Sequence, residues 1–273
     1  MGVWFGWSRS PRRSFRALAF GIMLAAMAGW AAGAVAEEPP TIAGAADLQF
    51  ALTDIAAAFK AETGLDVKLA FGSSGNFARQ IRQGAPFEMY LSADENYVLD
   101  LGKDGLTRDD GALYAVGRIV IIVPHGSPLE ADGTFEDLRA ALKDGRVQKF
   151  AIANPEHAPY GRRAEETLRH AGLWEAIEDR LVLGENVSQA AQFATSGSTQ
   201  GGIIAYSLAL SPKVSALGRF ELIPAEWHEP LRQRMVLLEN AGATAERFFA
   251  FLQEPAARAI MRQYGFVLPG EES

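Results

Sequence analysis

Gly117-Arg118-Ile119-Val120-Ile121-Ile122-Val123-Pro124 is the stretch that decides how the rest of the chain is read. Ile119 to Val123 are all β-branched, and such residues lose rotamer freedom against the preceding turn of a helix. The run is also far short of the roughly 20 apolar residues that span a bilayer. It therefore reads as a buried strand. Strand-to-helix patterns flank it on both sides, so the run marks a strand crossing between two lobes.

Outward from it, two junctions lie on the N-terminal side. Thr41 to Ala46 reads as a short strand, and Asp47 stands at the N-cap position of a helix carrying Leu48, Leu52, Ile55 and Phe59 until Gly64 stops it. Val67 to Phe71 is a second strand, Gly72-Ser73-Ser74-Gly75-Asn76 a turn whose small residues let backbone approach a ligand, and Phe77 to Gln83 a helix ended by Gly84. Two more junctions follow on the C-terminal side. Lys149 to Ala153 runs through Asn154-Pro155-Glu156-His157-Ala158-Pro159-Tyr160-Gly161 into a helix reaching about Ala171, and Leu181 to Leu183 runs through Gly184-Glu185-Asn186 into Val187 to Thr195. A buried strand, Gly202 to Ala205, comes next. A second crossing is expected near Arg232 to Leu238, before a helix with Ala245, Phe248, Phe249 and Leu252 that packs back on the first lobe.

The fold class is α/β with two lobes, each a mainly parallel sheet flanked by helices, and a ligand cleft between them. The lobes are assigned to 37–118 plus 232–273 and to 119–231. Residues 1–36 are set apart as an export signal. Arg9, Arg12, Arg13 and Arg16 precede an apolar run from Ala17 to Ala32, and Ala34-Val35-Ala36 supplies a small-residue cleavage site after about Ala36. Arg12-Arg13 ahead of Phe15 fits the twin-arginine variety. A membrane anchor is the competing reading of the apolar run, but the Ala-x-Ala ending favours cleavage and a periplasmic location.

Without the leader's four arginines, 22 basic residues face 33 acidic ones, a net charge of −11. Nucleic acid and anionic membranes are poor partners for such a chain. There is no cysteine, which excludes disulfides and thiolate metal sites. A helix N-terminus, however, presents unpaired backbone N–H groups and about half a positive charge. Junctions from both lobes converging on a cleft would surround a tetrahedral oxyanion with neutral donors, despite the acidic surface.

The motifs Ala45-Ala46-Asp47-Leu48, Phe71-Gly72-Ser73-Ser74-Gly75, Ser92-Ala93-Asp94, Asn154 to Gly161, Glu185-Asn186-Val187 and Tyr264-Gly265-Phe266 occur in order over nearly the whole mature chain. In these the chain resembles periplasmic molybdate-binding proteins, the receptors of molybdate ABC transporters within the type II periplasmic binding proteins. The resemblance implies capture of molybdate or tungstate and delivery to a transporter permease, by a monomer without cofactor or free metal ion. It also implies an oxyanion held by hydroxyls and backbone amides with no cationic side chain. The contacts would be Ser74 through hydroxyl and N–H, Tyr160 and Val187 through backbone N–H, and Asp47 with Ala46 beside it. Ser73, Gly75 and Tyr206 are secondary candidates.

Two positions depart from the family pattern. Asp47 stands where some members have serine, and an ionised carboxylate ~4 Å from a dianion would cost several kcal/mol. It is expected to cap its own helix, with its N–H towards the ligand. Ala205 stands where some members have tyrosine, and Tyr206, one residue on, faces the opposite side of a strand.

Asp47 also bears on the choice of anion, since an acceptor in the site would suit hydrogen phosphate, whereas donors alone suit molybdate. Phosphate or sulfate reception is thus the alternative within this class. A secreted serine hydrolase is the alternative outside it. No Gly-x-Ser-x-Gly elbow exists, and His125, His157, His170 and His228 stand in unrelated contexts, His157 reading as a structural part of the Pro155 to Pro159 turn. No metal-ligand spacing such as His-Glu-x-x-His occurs, so the chain reads as a non-enzyme.

Overall fold

A computed structural model describes residues 1–4 and 38–271. Contacts divide the chain into Met1–Glu38 and Pro39–Ser273, and the second unit holds every element named below. The leader expected over 1–36, with its paired arginines and cleavage point, lies outside the described residues apart from the irregular Met1–Trp4.

Two five-stranded sheets organise Pro39–Ser273. Numbered along the chain, the first contains β1 (Thr41–Ala45), β2 (Lys68–Gly72), β3 (Met89–Ser92), β4 (Ala112–Gly117) and β10 (Leu231–Leu237). The second contains β5 (Ile119–Pro124), β6 (Phe150–Ala153), β7 (Leu181–Gly184), β8 (Gly201–Ala205) and β9 (Gly218–Leu222). Their orders, β2-β1-β3-β10-β4 and β7-β6-β8-β5-β9, repeat one plan. β1 is parallel to β2 and β3, and β10 antiparallel to β3 and β4. β6 is parallel to β7 and β8, and β5 antiparallel to β8 and β9. Each sheet is therefore mixed, with a single strand opposing four that share a direction.

The opposing strands are the two that were expected to cross between lobes, and that expectation is corrected. β5 pairs from Ile119 to Pro124 only with β8 and β9, and β10 only with β3 and β4. The crossings themselves are Arg118 and the segment 223–230. Buried strand backbone needs partners along its whole length, and one sheet supplies them.

The first sheet is accompanied by α1 (Gln49–Thr63), α2 (Ser74–Arg82), α3 (Glu95–Lys103), α10 (Ala243–Phe251) and α11 (Pro255–Gln263). The second is accompanied by α4 (Glu136–Asp144), α5 (Pro159–His170), α6 (Trp174–Ile177), α7 (Val187–Thr195), α8 (Tyr206–Ala209) and α9 (Pro212–Ser215). The spacing of Leu52, Ile55 and Phe59 puts all three on the buried face of α1, and Gly64, at φ 73°, ends the helix by donating its N–H to Lys60. Phe59 meets Phe248 and Phe251 of α10 edge-on, with centroids 5.1 and 5.5 Å apart. Each such pair contributes about 0.5–1.5 kcal/mol beyond burial. The last helices thus fasten back on the first sheet.

Candidate functional site

The carboxyl ends of β1, β2, β6 and β7 all lead into helix starts, and these four starts meet at one small cavity. Its lining is Ala45 to Asp47, Gly72 to Ser74, Ala93, Ala158 to Tyr160, and Asn186 with Val187. It contains no Lys or Arg. First-turn amides have no intrahelical acceptor, so four helix starts aim N–H groups and positive dipole ends at the same space.

At the first start, Ala46–Leu48 form a 3-10 turn ahead of α1, and no side chain caps either element. The expectation that Asp47 is the cap is corrected. Its carboxylate is 1% exposed and turned to other partners: Tyr160 Oη donates to Oδ2 at 3.0 Å, and Gln233 Nε2 donates to the same oxygen at 2.8 Å. Gln233 Nε2 also lies 3.0 Å from Tyr160 Oη, and Tyr114 Oη donates to Gln233 Oε1 at 2.7 Å. Ser207 Oγ holds the Asp47 carbonyl at 2.8 Å. Asp47 Oδ1 is buried without a partner. Burial raises the Asp47 pKa to about 6 against the opposing pull of Gln233 and Tyr160. Burial, and then the Asp47 charge, push Tyr160 and Tyr114 well above the usual phenol value, so both remain donors.

Ser74 opens α2 and is fully buried. Its Oγ accepts from the Ala93 N–H at 3.0 Å, which leaves its own proton to be donated, and Tyr90 Oη donates to its carbonyl at 2.8 Å. Val187 opens α7 behind Asn186, whose side chain accepts from the Ser188 and Gln189 N–H groups. Pro159 opens α5, where its missing N–H costs nothing, and Tyr160 follows.

Of the residues singled out in the sequence, Ala46, Asp47, Ser73, Ser74, Tyr160 and Val187 line the cavity. Gly75 lies just outside it and donates its N–H to the His157 carbonyl at 3.0 Å. Tyr206 is not brought to the cavity. It begins α8 one residue beyond β8, with its ring under Arg118 and edge-on to Phe220. His157 does more than shape its own turn: its Nδ1 lies 2.9 Å from Ser73 Oγ and its Nε2 3.6 Å from Glu185 Oε2. Arg163 is buried and bonded to Glu166, while Arg162 reaches Asp94 at 3.4 Å and lies over the Tyr97 ring.

Tyr114 and Gln233 went unrecognised in the sequence. Gln233 carried a signal, because it is in phase with the buried Leu231 and Met235 on β10 and so is a polar side chain on an inward face. Among the described residues no cluster of His, Asp and Glu could hold a metal ion, and no helix is long and apolar enough to cross a membrane.

The family model described as bacterial extracellular solute-binding protein matches residues 40–267. The chain belongs to that family. It is 35% identical over 254 residues to the molybdate-binding protein ModA of Rhodobacter capsulatus, covering 92% of this chain and 93% of the relative. Among solved structures, the periplasmic molybdate-binding protein of Azotobacter vinelandii aligns with a TM-score of 0.76 at 29% identity, over 84% of this chain and 99% of that one. The sulfate-binding protein SubI of Mycobacterium tuberculosis H37Rv aligns with a TM-score of 0.69 at 16% identity, over 85% and 87%, a likeness of fold alone. The two sheets with their interposed cavity are the two-lobed periplasmic binding protein fold.

Proposed function

We propose that the chain is an exported receptor that encloses molybdate, or tungstate of equal charge and shape, between its lobes and delivers it to the permease of an ABC transporter. The observation that carries this reading is the convergence of four helix starts on a small cavity without a cationic side chain. Its donors would be the backbone N–H groups of Ala46, Asp47, Tyr160 and Val187 together with the N–H and hydroxyl of Ser74, with Ser73 at the margin. The names of the R. capsulatus and A. vinelandii relatives supply the anion. The lobes are taken as 37–118 plus 232–273 and 119–231, save that Leu231 already pairs with Gly117 in the first sheet, hinged at the two crossings, and the receptor acts as a monomer in the periplasm after losing its leader.

Asp47 also bears on the choice of anion: Tyr160 and Gln233 take up its Oδ2, whereas its buried Oδ1 is an unpartnered acceptor of the kind a protonated ligand such as hydrogen phosphate would use, so phosphate belongs in the test. Calorimetric titration of the mature protein with molybdate, tungstate, sulfate and phosphate tests the reading. Saturable binding of the first two is expected, and binding of phosphate alone would refute a donor site.

Ser73, His157 and Glu185 raise a serine hydrolase as the second reading, since they form a hydroxyl–imidazole–carboxylate chain. Two features weigh against it. The Glu185 side chain is 60% exposed, whereas the orienting acid of such triads is buried. Ser73 and His157 also come from different lobes, so opening the cleft to admit a substrate separates them. No turnover of a nitrophenyl ester above background is expected.

A further inference from the structure

Asp47 is an anomaly in a cavity otherwise suited to a dianion. It is a residue of the cavity wall whose carboxylate is buried behind it, held by two neutral donors, with its second oxygen unpartnered. We propose that Asp47 makes anion capture proton-linked, a proton settling on its carboxylate as the dianion is enclosed beside it.

The groups facing Asp47 leave few other ways to relieve the repulsion. Tyr114 from β4 and Tyr160 from α5 are held as neutral phenols, and Gln233 from β10 and Ser207 from α8 are uncharged. The α7 start brings Asn186 and Val187, and the end of β2 brings Gly72 and Ser73, all neutral. Of the ionisable groups nearby, Arg162 pairs with Asp94, His157 lies beside Glu185, and Arg118 lies over the Tyr206 ring rather than against Asp47. No cation therefore compensates a charge on Asp47, and two like charges in a water-poor space repel strongly. Oδ2 is occupied, so the proton's place is the free Oδ1. Burial already brings this carboxyl to about 6, and an adjacent dianion acts in the same direction.

The linkage has a definite sign. The bound state holds one proton more than the free state, so affinity falls as pH rises above about 6, by up to about tenfold per pH unit, until the bound carboxyl itself ionises.

This inference rests on the reading of the cavity as an oxyanion site, and one experiment separates the two. Molybdate is titrated into the mature protein at about pH 7 in buffers of differing ionisation enthalpy, and the dissociation constant is followed from about pH 6 to about pH 8. Uptake of close to one proton per molybdate, with the matching loss of affinity, is expected. Asp47→Asn, which mimics the protonated acid in shape, should bind without proton uptake and with a flat pH profile. Saturable molybdate binding by the wild type without proton uptake overturns the inference and leaves the receptor reading intact. Uptake that persists in Asp47→Asn overturns it too. Absence of molybdate binding at every pH overturns the receptor reading, and this inference with it.

Discussion

Tyr160 Oη donates to Asp47 Oδ2 at 3.0 Å, and in doing so the helix start of one lobe grips the helix start of the other directly beside the cavity. Gln233 Nε2 lies within hydrogen-bonding distance of both partners. Tyr160→Phe keeps the backbone N–H at that position and removes the grip. Its loss should weaken molybdate binding about 2- to 13-fold, the effect of about 0.5–1.5 kcal/mol for a buried bond to an uncharged acceptor, as Asp47 would be once protonated. Calorimetry measures this directly. Unchanged affinity would mean that Tyr160 serves through its backbone alone.

Gly75→Ala should separate stability from closure. A Cβ there would sit 2.8 Å from the His157 carbonyl oxygen of the opposite lobe and 2.8 Å from Tyr97 Oη. Within α2, alanine is favoured over glycine by about 1 kcal/mol. Tyr97, on α3 of the same lobe, presents only the movable end of a side chain, so the free protein should melt close to the wild type, while contact with the His157 carbonyl lowers affinity at least about tenfold, since every 1.4 kcal/mol of clash is a factor of ten. Small-angle scattering should show a smaller ligand-induced compaction. Full compaction with native affinity would show that the lobes do not meet at this glycine.

Asp47→Asn should also change the pH dependence of stability in the free protein. The folded carboxyl holds its proton up to about pH 6, against an ordinary value of 3.8. The folded state therefore binds more protons than the unfolded chain between those values, and stability falls as pH rises through the window. The variant should be more stable than the wild type at about pH 8, by on the order of 2 kcal/mol, with the gap closing towards pH 4. Paired thermal melts across this range check it, and a variant less stable at pH 8 would contradict a strained Asp47.

Ser74→Ala removes a hydroxyl whose oxygen accepts from Ala93 and whose proton is available to the cavity. A buried Ala93 N–H would be left unpaired, at a cost of about 1–3 kcal/mol in stability. Affinity should fall about tenfold or more in addition. A melting shift with native affinity would make Ser74 structural only.

What was legible in the sequence was local. Gly, Ser and Asn turns ahead of periodic apolar residues located the starts of α2 and α7, and with them Ser74 and Val187, because capping and turn chemistry act over a few residues. The side-chain role of Tyr160 was not legible. It depends on Asp47, 113 positions away, as the role of Gln233 depends on Asp47 at a separation of 186. The same distance explains the mistaken cap. Asp47 has the right type and place for one, but partners brought by the tertiary fold outcompeted its own helix. The two crossings were placed within strands because an unbroken apolar run does not show which sheet will pair it. Only the ladders of β5 with β8 and β9 settle that.

β10 lies between β3 and β4, so the first sheet is divided until the ribosome has made residues 231–237. The second sheet needs nothing beyond Leu222. During synthesis the later lobe can thus reach its final form first, while β3 and β4 wait with an open edge on each, the kind of edge that recruits stray strands. Chains that stop short of β10 should be rescued neither by ligand nor by time, and a holding chaperone would have its longest task at the beginning of the chain.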